Sequence, residues 1–518
     1  MMRGAFRLLA VVAVPFAAAA EMERATPESQ GVPSAAILKW IDACEKAFAA
    51  PVTDTARDAI HGFTLVRHGK VIAEGTWKPF DTLNAPHKLY SHTKSFTSTA
   101  IGFLVDDGKL DLDERVVDIF ADKAPADPSA NLRAMRVRDL LTMNTGAAYT
   151  DAERRDPSGD WERAFLANVI DDPPGTKFRY DSGATHMLSA IVQRRSGKRM
   201  TEFLADRLFG PLGFGEVRCT QSPTGVDCGG WGMSLTTRDL ARFGQFLLQK
   251  GRWGDRRLLS PDWVSLATTR QTWSSAIVVQ SQTIGSGNDW AQGYGFQFWR
   301  CQHGAFRADG AFGQITVVFP KEDAVLSVNA GIGPMQKELD VVWENLLPAL
   351  GSAAPLPENP AALAALEKRC AELSFAPISG TRDGAERFDG LKFLIDANPR
   401  GLATVEFNRE GEGWRADLRT RAGMNRFPVG FGKWERSTLE FDPEPYETLG
   451  TIHGVQAVAA SGAVRPDGTF LCRVYYVEDV NWIDFRLSVK DGKAELKGAL
   501  QSMSGCTLTG KASVPPRK

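Results

Sequence analysis

The sequence predicts an α+β domain, an antiparallel sheet with flanking helices and a helical insertion, followed by a separate all-β barrel or sandwich domain. In the first domain strand patterns come first, a mostly helical stretch follows to about residue 250, and strands return near residue 293. In the last part, residues 390–512 alternate apolar and polar positions between turn signals. The stretch 351–362, rich in proline and small residues, is interpreted as a linker between the two domains.

The composition is that of a folded protein with full cores. Of the 518 residues, 43% are hydrophobic and 24% are charged, which excludes a disordered chain, a collagen or a membrane bundle as the main state. Lys and Arg total 61 against 62 Asp and Glu, so the formal net charge is -1. This balance gives no indication of nucleic acid or an anionic membrane as a partner.

Residues 1–20 have the order of a secretory signal peptide. Two arginines precede the apolar run LLAVVAVPFAAAA, and Ala18 and Ala20 supply small residues for cleavage. We expect the mature chain to begin near Glu21 and to be periplasmic or secreted, with no integral membrane segment after signal removal.

Export would permit disulfides, and an odd number of cysteines, seven, leaves at least one thiol unpaired. Cys219 and Cys228 flank a short loop and are the best candidate pair. Seven unpaired thiols are the alternative.

The elements of the first domain, 21–350, follow in order. A hairpin is expected at 61–77, because two β-rich runs flank a His-Gly-Lys turn. From Ser91 apolar residues recur at helical spacing until an Asp-Asp-Gly stop, and Thr236 is expected to cap a later helix with Asp239. Further helices are predicted at about 183–196 and 339–350, and strands at 293–299, 314–320 and 324–332.

The motif that carries chemistry is Ser91-His92-Thr93-Lys94, the only S-x-x-K in the sequence. At helical spacing its hydroxyl and ammonium share one face, one turn apart. A serine at a helix N-terminus has amide donors nearby, and a partly desolvated lysine can lose its proton and act as a base. Alone the motif is weak, because a helix cap with a surface lysine has the same pattern.

Four segments, in order over residues 30–350, resemble the class C β-lactamase-like and penicillin-binding-protein-like serine hydrolases. YSHTKSFTSTAIGFLVDDGKLDLDERV is similar to the helix that carries their nucleophile, and VRDLLTMNTG to their L-L-T-x-x-S-G segment. PPGTKFRYDSGATHMLSAIVQ is similar to their second motif, and GGWGMSLTTRDLARFGQFL to their G-G-x-x-S-T-x-x-D-L-A-R-F segment. The resemblance implies a β-lactamase-like domain at 21–350.

The same resemblance implies a set of roles. Ser91 would be the nucleophile, Lys94 its base, and Tyr180 the group that relays the proton to the leaving group. The backbone amides of Ser91 and Ala311 would form the oxyanion hole. Asn144, at the end of VRDLLTMNTG, would bind substrate.

Two motifs depart from the family pattern. The second reads Tyr-Asp-Ser instead of Tyr-x-Asn, so Ser182 replaces an amide at a substrate-binding position, as in nylon-oligomer hydrolases and related esterases, which it resembles. In the third, Ala308 stands where the family has a Lys or His that holds a substrate carboxylate in β-lactamases and DD-peptidases. We expect Asp309 and Gly310 to border the substrate, and Asp309 to disfavour an anion there.

The resemblance therefore predicts an exported serine hydrolase that acts through a Ser91 acyl-enzyme on an ester or a small amide, without cofactor or metal. His92 and His186 are interpreted as structural residues. Two alternatives stay open: a peptidoglycan-related DD-peptidase, D-aminopeptidase or weak β-lactamase, and a non-catalytic binding or sensing protein. The acyl group and the oligomeric state are left undetermined.

The C-terminal β domain, 363–518, begins with a short predicted helix near 363–373. Its aromatic residues are expected to fill the core of a small barrel, as side chains usually do. The alternative is a lipocalin-like cup that binds an apolar ligand. The residues concerned are Trp414, Trp434, Tyr475, Tyr476 and Trp482.

Overall fold

The structure, a computed structural model, divides into two compact units. One comprises Met1–Gly75 and Thr82–Ala371, the other Thr76–Asp81 and Glu372–Lys518. The residues it describes are 21–48, 59–150, 158–274, 287–441, 454–501 and 506–513, so the predicted signal peptide, 1–20, lies outside them.

The division falls later than the predicted linker. Residues 351–362 belong to the first unit, and so does most of the helix that follows them. An ion pair between Arg369 and Glu45 connects this helix with the N-terminal helix of the first unit.

Among the described residues, the α-helices lie in the first unit, except for the last residue of the final helix, and most of them are short. A 3₁₀ turn, Tyr90–His92, precedes the second helix. The helices are α1 Ser34–Phe48, α2 Thr93–Asp106, α3 Val116–Ile119, α4 Ala130–Ala134, α5 Val137–Leu141, α6 Trp161–Leu166, α7 Ser182–Ser196, α8 Met200–Leu204, α9 Gly210–Leu212, α10 Thr237–Leu248, α11 Pro261–Thr268, α12 Met335–Val341 and α13 Pro360–Glu372.

The strands of the first unit form one large antiparallel sheet and two small ones. The large sheet has six strands in the order β2-β1-β11-β10-β9-β8, and β1 and β2 form the hairpin predicted at 61–77. The strands are β1 Ala59–Arg67, β2 Lys70–Thr76, β3 His87–Lys88, β4 Arg218–Cys219, β5 Met233–Leu235, β6 Arg252–Trp253, β7 Arg256–Arg257, β8 Trp299–Arg300, β9 Phe306–Gly310, β10 Gln314–Phe319 and β11 Ala324–Gly331.

Helix α10 packs directly on the sheet. Thr236 caps it as predicted, its hydroxyl accepting from the Asp239 amide at 3.1 Å. A Cβ on Gly244 would lie 2.4 Å from Val325 Cγ1, so only glycine permits this close approach. The Phe243 ring stacks on Phe96 of α2, with 4.1 Å between centroids. The sheet, α10 and α2 thus share one apolar core.

The strand predicted at 293–299 is wrong for most of its length, since only Trp299 begins a strand. Two residues of GYGFQFW adopt the left-handed conformation, Gly293 with φ 103° and Gln297 with φ 67°. An extended strand cannot contain either conformation. The segment is instead a loop that leads into β8.

Cys219 and Cys228, the predicted pair, are not joined by a disulfide in the structure. Cys219 Sγ lies 3.4 Å from the carbonyl oxygen of Thr220. Among the described residues, no helix has the length and apolarity needed to cross a bilayer.

The second unit is a nearly closed antiparallel barrel of ten strands, in the order β15-β14-β13-β12-β21-β20-β19-β18-β17-β16. Trp414 and Tyr476 are buried in its core, whereas Trp434 and Tyr475 pack in a smaller cluster with Phe80. The strands are β12 Leu391–Ile395, β13 Thr404–Glu410, β14 Gly413–Thr420, β15 Gly423–Pro428, β16 Glu435–Glu440, β17 Val455–Val464, β18 Phe470–Tyr476, β19 Trp482–Lys490, β20 Lys493–Gln501 and β21 Cys506–Ser513.

Candidate active site

Ser91 lies in the 3₁₀ turn that precedes α2 rather than in the helix itself. Tyr90 before it has a left-handed backbone, φ 51°, which turns the chain sharply into the helix. The Tyr90 ring contacts Phe312 edge-on, with 5.4 Å between centroids. Ser91 is half-buried, while the first residues of α2 are buried. The turn therefore leaves the serine hydroxyl as the accessible group of a buried segment.

Lys94 is the centre of the site. Its side chain is buried, and its ammonium donates to Ser91 Oγ at 3.0 Å, to Ser182 Oγ at 2.9 Å and to the Gly230 carbonyl oxygen at 2.6 Å. The ammonium also lies 4.8 Å from the centroid of the Tyr180 ring. These contacts bring together the first and second motifs that the sequence places 88 residues apart.

The Gly-Gly-Trp-Gly segment holds α2 from one side. Thr97 Oγ1 donates to the Gly229 carbonyl oxygen at 2.7 Å, and the Met233 amide donates to Thr93 Oγ1 at 3.1 Å. A Cβ on Gly230 would lie 2.9 Å from the Ser182 carbonyl oxygen. Glycine is therefore required where this segment passes between α2 and α7.

The second motif is fixed by the start of α7. Asp181 caps this helix through the Gly183 amide at 2.9 Å, which directs Tyr180 and Ser182 to the same side as Lys94. The Tyr180 ring stacks on Trp299, with 5.7 Å between centroids and 24° between planes. Trp299 could be recognised in the sequence only as an aromatic residue of unknown orientation.

The third motif lies on β9. Gly310 approaches the Ser91 turn so closely that a Cβ there would lie 2.0 Å from the Leu89 carbonyl oxygen. Ala311 follows at once, so the turn 311–313 borders the Ser91 turn. Ala308 is buried and pairs with Thr316 across the sheet.

Asp309 pairs with the buried guanidinium of Arg307 and is not directed at a substrate site. Its Oδ2 accepts from Arg307 Nε at 2.6 Å, and Arg307 is fully buried with its guanidinium 4.4 Å from the Trp290 ring centroid. Burial raises the pKa of Asp309, and Arg307 opposes that shift. The charges of Asp309 and Arg307 therefore compensate each other within the protein.

Asn144 contacts other segments of the first unit. Its side-chain amide donates to Thr272 Oγ1 at 3.2 Å, and its backbone carbonyl oxygen accepts from the Gly175 amide at 2.7 Å. The structure thus gathers Ser91, Lys94, Tyr180 and Ser182, with Gly310 beside them, whereas Asp309 and Asn144 have structural partners.

His92 follows Ser91 and is buried, with its Nε2 2.9 Å from Thr316 Oγ1. Burial lowers the pKa of His92 to about 3, so the imidazole is neutral at physiological pH. His186 is buried as well, edge-on to Trp161 at 5.1 Å between centroids.

Comparison with known proteins relates the chain to one family. The family model named Beta-lactamase matches residues 20–340. The chain is 27% identical over 271 residues (48% of its length) to the 6-aminohexanoate-dimer hydrolase of Paenarthrobacter ureafaciens, and covers 66% of that protein. It is 28% identical over 232 residues (39% of its length) to penicillin-binding protein 4 of Amycolatopsis lactamdurans, and covers 58% of that protein.

Among solved structures, a penicillin-binding protein homologue from Caulobacter crescentus is similar at 18% identity with a TM-score of 0.46, over 61% of this chain and 96% of that one. The family match covers more than half of the sequence and includes the segments that bring Ser91, Lys94 and Tyr180 together. The chain therefore belongs to the Beta-lactamase family.

Proposed function

We propose that this protein is an exported serine hydrolase that forms an acyl-enzyme through Ser91 with an ester or a small amide. The observation that carries the proposal is the position of Lys94 Nζ, 3.0 Å from Ser91 Oγ and 2.9 Å from Ser182 Oγ. A buried amine in contact with a half-buried serine is the arrangement that nucleophilic catalysis requires.

The contacts of Lys94 define the proton balance. An ammonium has three N–H donors, and Lys94 Nζ donates to the oxygens of Ser91, Ser182 and Gly230. A neutral amine has two donors and one lone pair, and the Gly230 carbonyl can only accept. Loss of the Lys94 proton thus requires one hydroxyl to donate to Nζ, and Ser91 is the hydroxyl exposed to substrate.

The reaction follows from this balance. Ser91 Oγ attacks the substrate carbonyl carbon as its proton passes to Lys94, and the amides of Ser91 and Ala311 stabilise the oxyanion. The bond to the leaving group then breaks, and the leaving group takes a proton through Tyr180. Water attacks the acyl-enzyme, releases the acid and restores the Ser91 hydroxyl.

The proposed substrate class rests on the third motif. Ala308 offers no cation, and the nearby Arg307 is buried in its ion pair with Asp309. An ester or small amide without a carboxylate beside the scissile bond suits this site best. The similarity to the 6-aminohexanoate-dimer hydrolase supports an amide or ester of modest size.

A peptidoglycan-related DD-peptidase, D-aminopeptidase or weak β-lactamase is the second candidate, supported by the similarity to penicillin-binding protein 4. A panel of p-nitrophenyl acyl esters, linear amides and nitrocefin separates the candidates. We expect turnover of esters or amides well above that of nitrocefin; nitrocefin turnover at a comparable rate would reverse the ranking. Inactivity of a folded sample on the whole panel would favour a binding or sensing role.

The nucleophile is tested with a fluorophosphonate probe and mass mapping of the labelled peptide. We expect the probe to label Ser91 and the Ser91→Ala variant to remain unlabelled. Ser98→Ala, a buried serine on the same helix, is the matched control and is expected to label normally. Equal labelling of Ser91→Ala would refute the mechanism.

Export is proposed from the composition of residues 1–20 and is tested separately. N-terminal sequencing of the protein from a periplasmic fraction should begin near Glu21. Recovery of the uncleaved chain from the cytoplasm alone would refute export.

A further inference from the structure

Gln297 joins three segments that surround the candidate active site. The residue is 2% exposed, and every polar group of its side chain has a partner. Its Nε2 donates to the carbonyl oxygens of Leu141 at 2.9 Å and Leu140 at 3.2 Å, and its Oε1 accepts from Thr185 Oγ1 at 2.7 Å. Its backbone carbonyl accepts from Ser95 Oγ at 2.8 Å.

The partners of Gln297 are neighbours of the residues proposed to react. Ser95 follows Lys94 in α2, and Thr185 lies one turn after Ser182 in α7. Leu140 and Leu141 end α5, and the Leu140 carbonyl oxygen also accepts from the Met143 amide at 3.3 Å. One side chain therefore connects the end of α5 with α7, and its backbone connects both with α2.

The backbone conformation of Gln297 indicates that the surrounding structure holds this residue in place. Its φ of 67° is left-handed, a conformation that is unfavourable for residues other than glycine. Such conformations persist where the surrounding structure imposes them, and they are concentrated at functional sites. Here the four hydrogen bonds impose it.

We propose that Gln297 is a positioning residue that sets the separation of α2 and α7, and so keeps Lys94 Nζ between the hydroxyls of Ser91 and Ser182. The inference rests on the proposed function. Related residues at position 297 would not make the same contacts. Glutamate lacks the N–H donors to the α5 carbonyls, and asparagine is shorter by one methylene. Methionine would fill the space without forming hydrogen bonds.

The test uses the full chain and measures the phosphonylation of Ser91 by a fluorophosphonate, as a maximal rate and a half-saturating concentration. Thr185→Val and Ser95→Ala each remove one hydrogen bond to Gln297. Gln297→Met removes the three hydrogen bonds of the Gln297 side chain. Thr99→Val is the matched control, because its buried hydroxyl bonds only within α2, to the Ser95 carbonyl at 2.9 Å.

We expect the single-link variants to lower the maximal rate about tenfold and Gln297→Met to lower it about 100-fold, since small displacements of reacting groups have effects of this order. The half-saturating concentration should stay within about twofold of wild type. Thr99→Val should react at the wild-type rate with a melting temperature close to that of Thr185→Val. Adding Thr185→Val to Gln297→Met should cause no further loss.

Equal maximal rates for Thr185→Val, Ser95→Ala and Thr99→Val would overturn the role of Gln297, and so would a loss confined to the half-saturating concentration. If Gln297→Met does not fold, the two single-link variants decide the question. Labelling that persists in Ser91→Ala would instead refute the proposed function. The two failures are therefore distinguishable.

Discussion

At the scale of single residues, Glu338 is a buried acid that forms no ion pair with the described residues. It is 2% exposed, and both of its carboxyl oxygens are buried without a hydrogen-bond partner among the described residues. It lies beneath the turn that follows β9, where a Cβ on Gly313 would come within 2.5 Å of its Oε2. Burial raises the pKa of Glu338 well above its usual value, and Asp309 adds to the shift.

This raised pKa predicts how stability depends on pH. The unfolded chain ionises Glu338 above about pH 4.3, whereas the folded protein retains its proton to higher pH. The free energy of unfolding therefore falls as pH rises through that window, by about 1.4 kcal/mol per pH unit. Glu338→Gln should remove this pH-dependent loss of stability. The melting temperature should therefore rise at pH 8 and stay nearly unchanged at pH 4.

The matched control is Glu344→Gln, which changes an exposed glutamate two turns away. Thermal unfolding of both variants between pH 4 and 9 measures the difference. A Glu338→Gln curve parallel to that of wild type would contradict an un-ionised Glu338 in the folded protein.

At the scale of elements, the approach of β9 to the Ser91 turn predicts a strict requirement for glycine. A Cβ at position 310 would lie 2.0 Å from the Leu89 carbonyl oxygen, which is backbone and cannot rotate away. Gly310→Ala should separate the two segments that carry the proposed oxyanion amides. We expect fluorophosphonate labelling of Ser91 to slow by about 100-fold, the order of effect of losing an oxyanion donor.

Gly351→Ala is the control, because a Cβ there meets no atom within 4 Å. It should label at the wild-type rate. Normal labelling of Gly310→Ala would show that the end of β9 does not form part of the reacting site.

Elements with strong local signals could be predicted from the sequence, and elements shaped by distant contacts could not. The cap at Thr236 and the β1–β2 hairpin depend on neighbours in the chain, and both were predicted correctly. The left-handed residues Tyr90 and Gln297 are not glycines, so nothing local marks them. The pairing of Asp309 with Arg307 likewise depends on burial, which the sequence pattern alone does not give.

At the scale of the whole molecule, one short segment belongs to the barrel unit although it precedes Ser91 in the chain. Residues 76–81 are assigned to the second unit, where the Phe80 ring contacts Phe375 at 5.7 Å and Tyr475 at 5.5 Å between centroids. The Lys78 amide donates to the Leu373 carbonyl oxygen at 3.1 Å. The barrel unit is therefore built from two separate stretches of chain.

Phe80→Ala should destabilise this unit by about 3–5 kcal/mol, the usual cost of removing a buried phenylalanine ring. Near-ultraviolet circular dichroism of the thermal transition measures it, and labelling of Ser91 at 25 °C should be unchanged. Leu394→Ala, which truncates a side chain that is 64% exposed on the barrel, is the control. An unchanged melting curve for Phe80→Ala would contradict the assignment of 76–81 to the barrel.

The same segment sets an order of events during synthesis. Ribosomes add about 5–20 residues per second, and Glu372 emerges about 290 residues after Asp81. Phe80 is therefore synthesised on the order of 15 to 60 s before its contacts in the second unit, such as Phe375, are added to the chain. During that interval we expect the Phe80 ring, which is buried in the finished protein, to be exposed on the nascent chain, where exposed apolar surface favours chaperone binding.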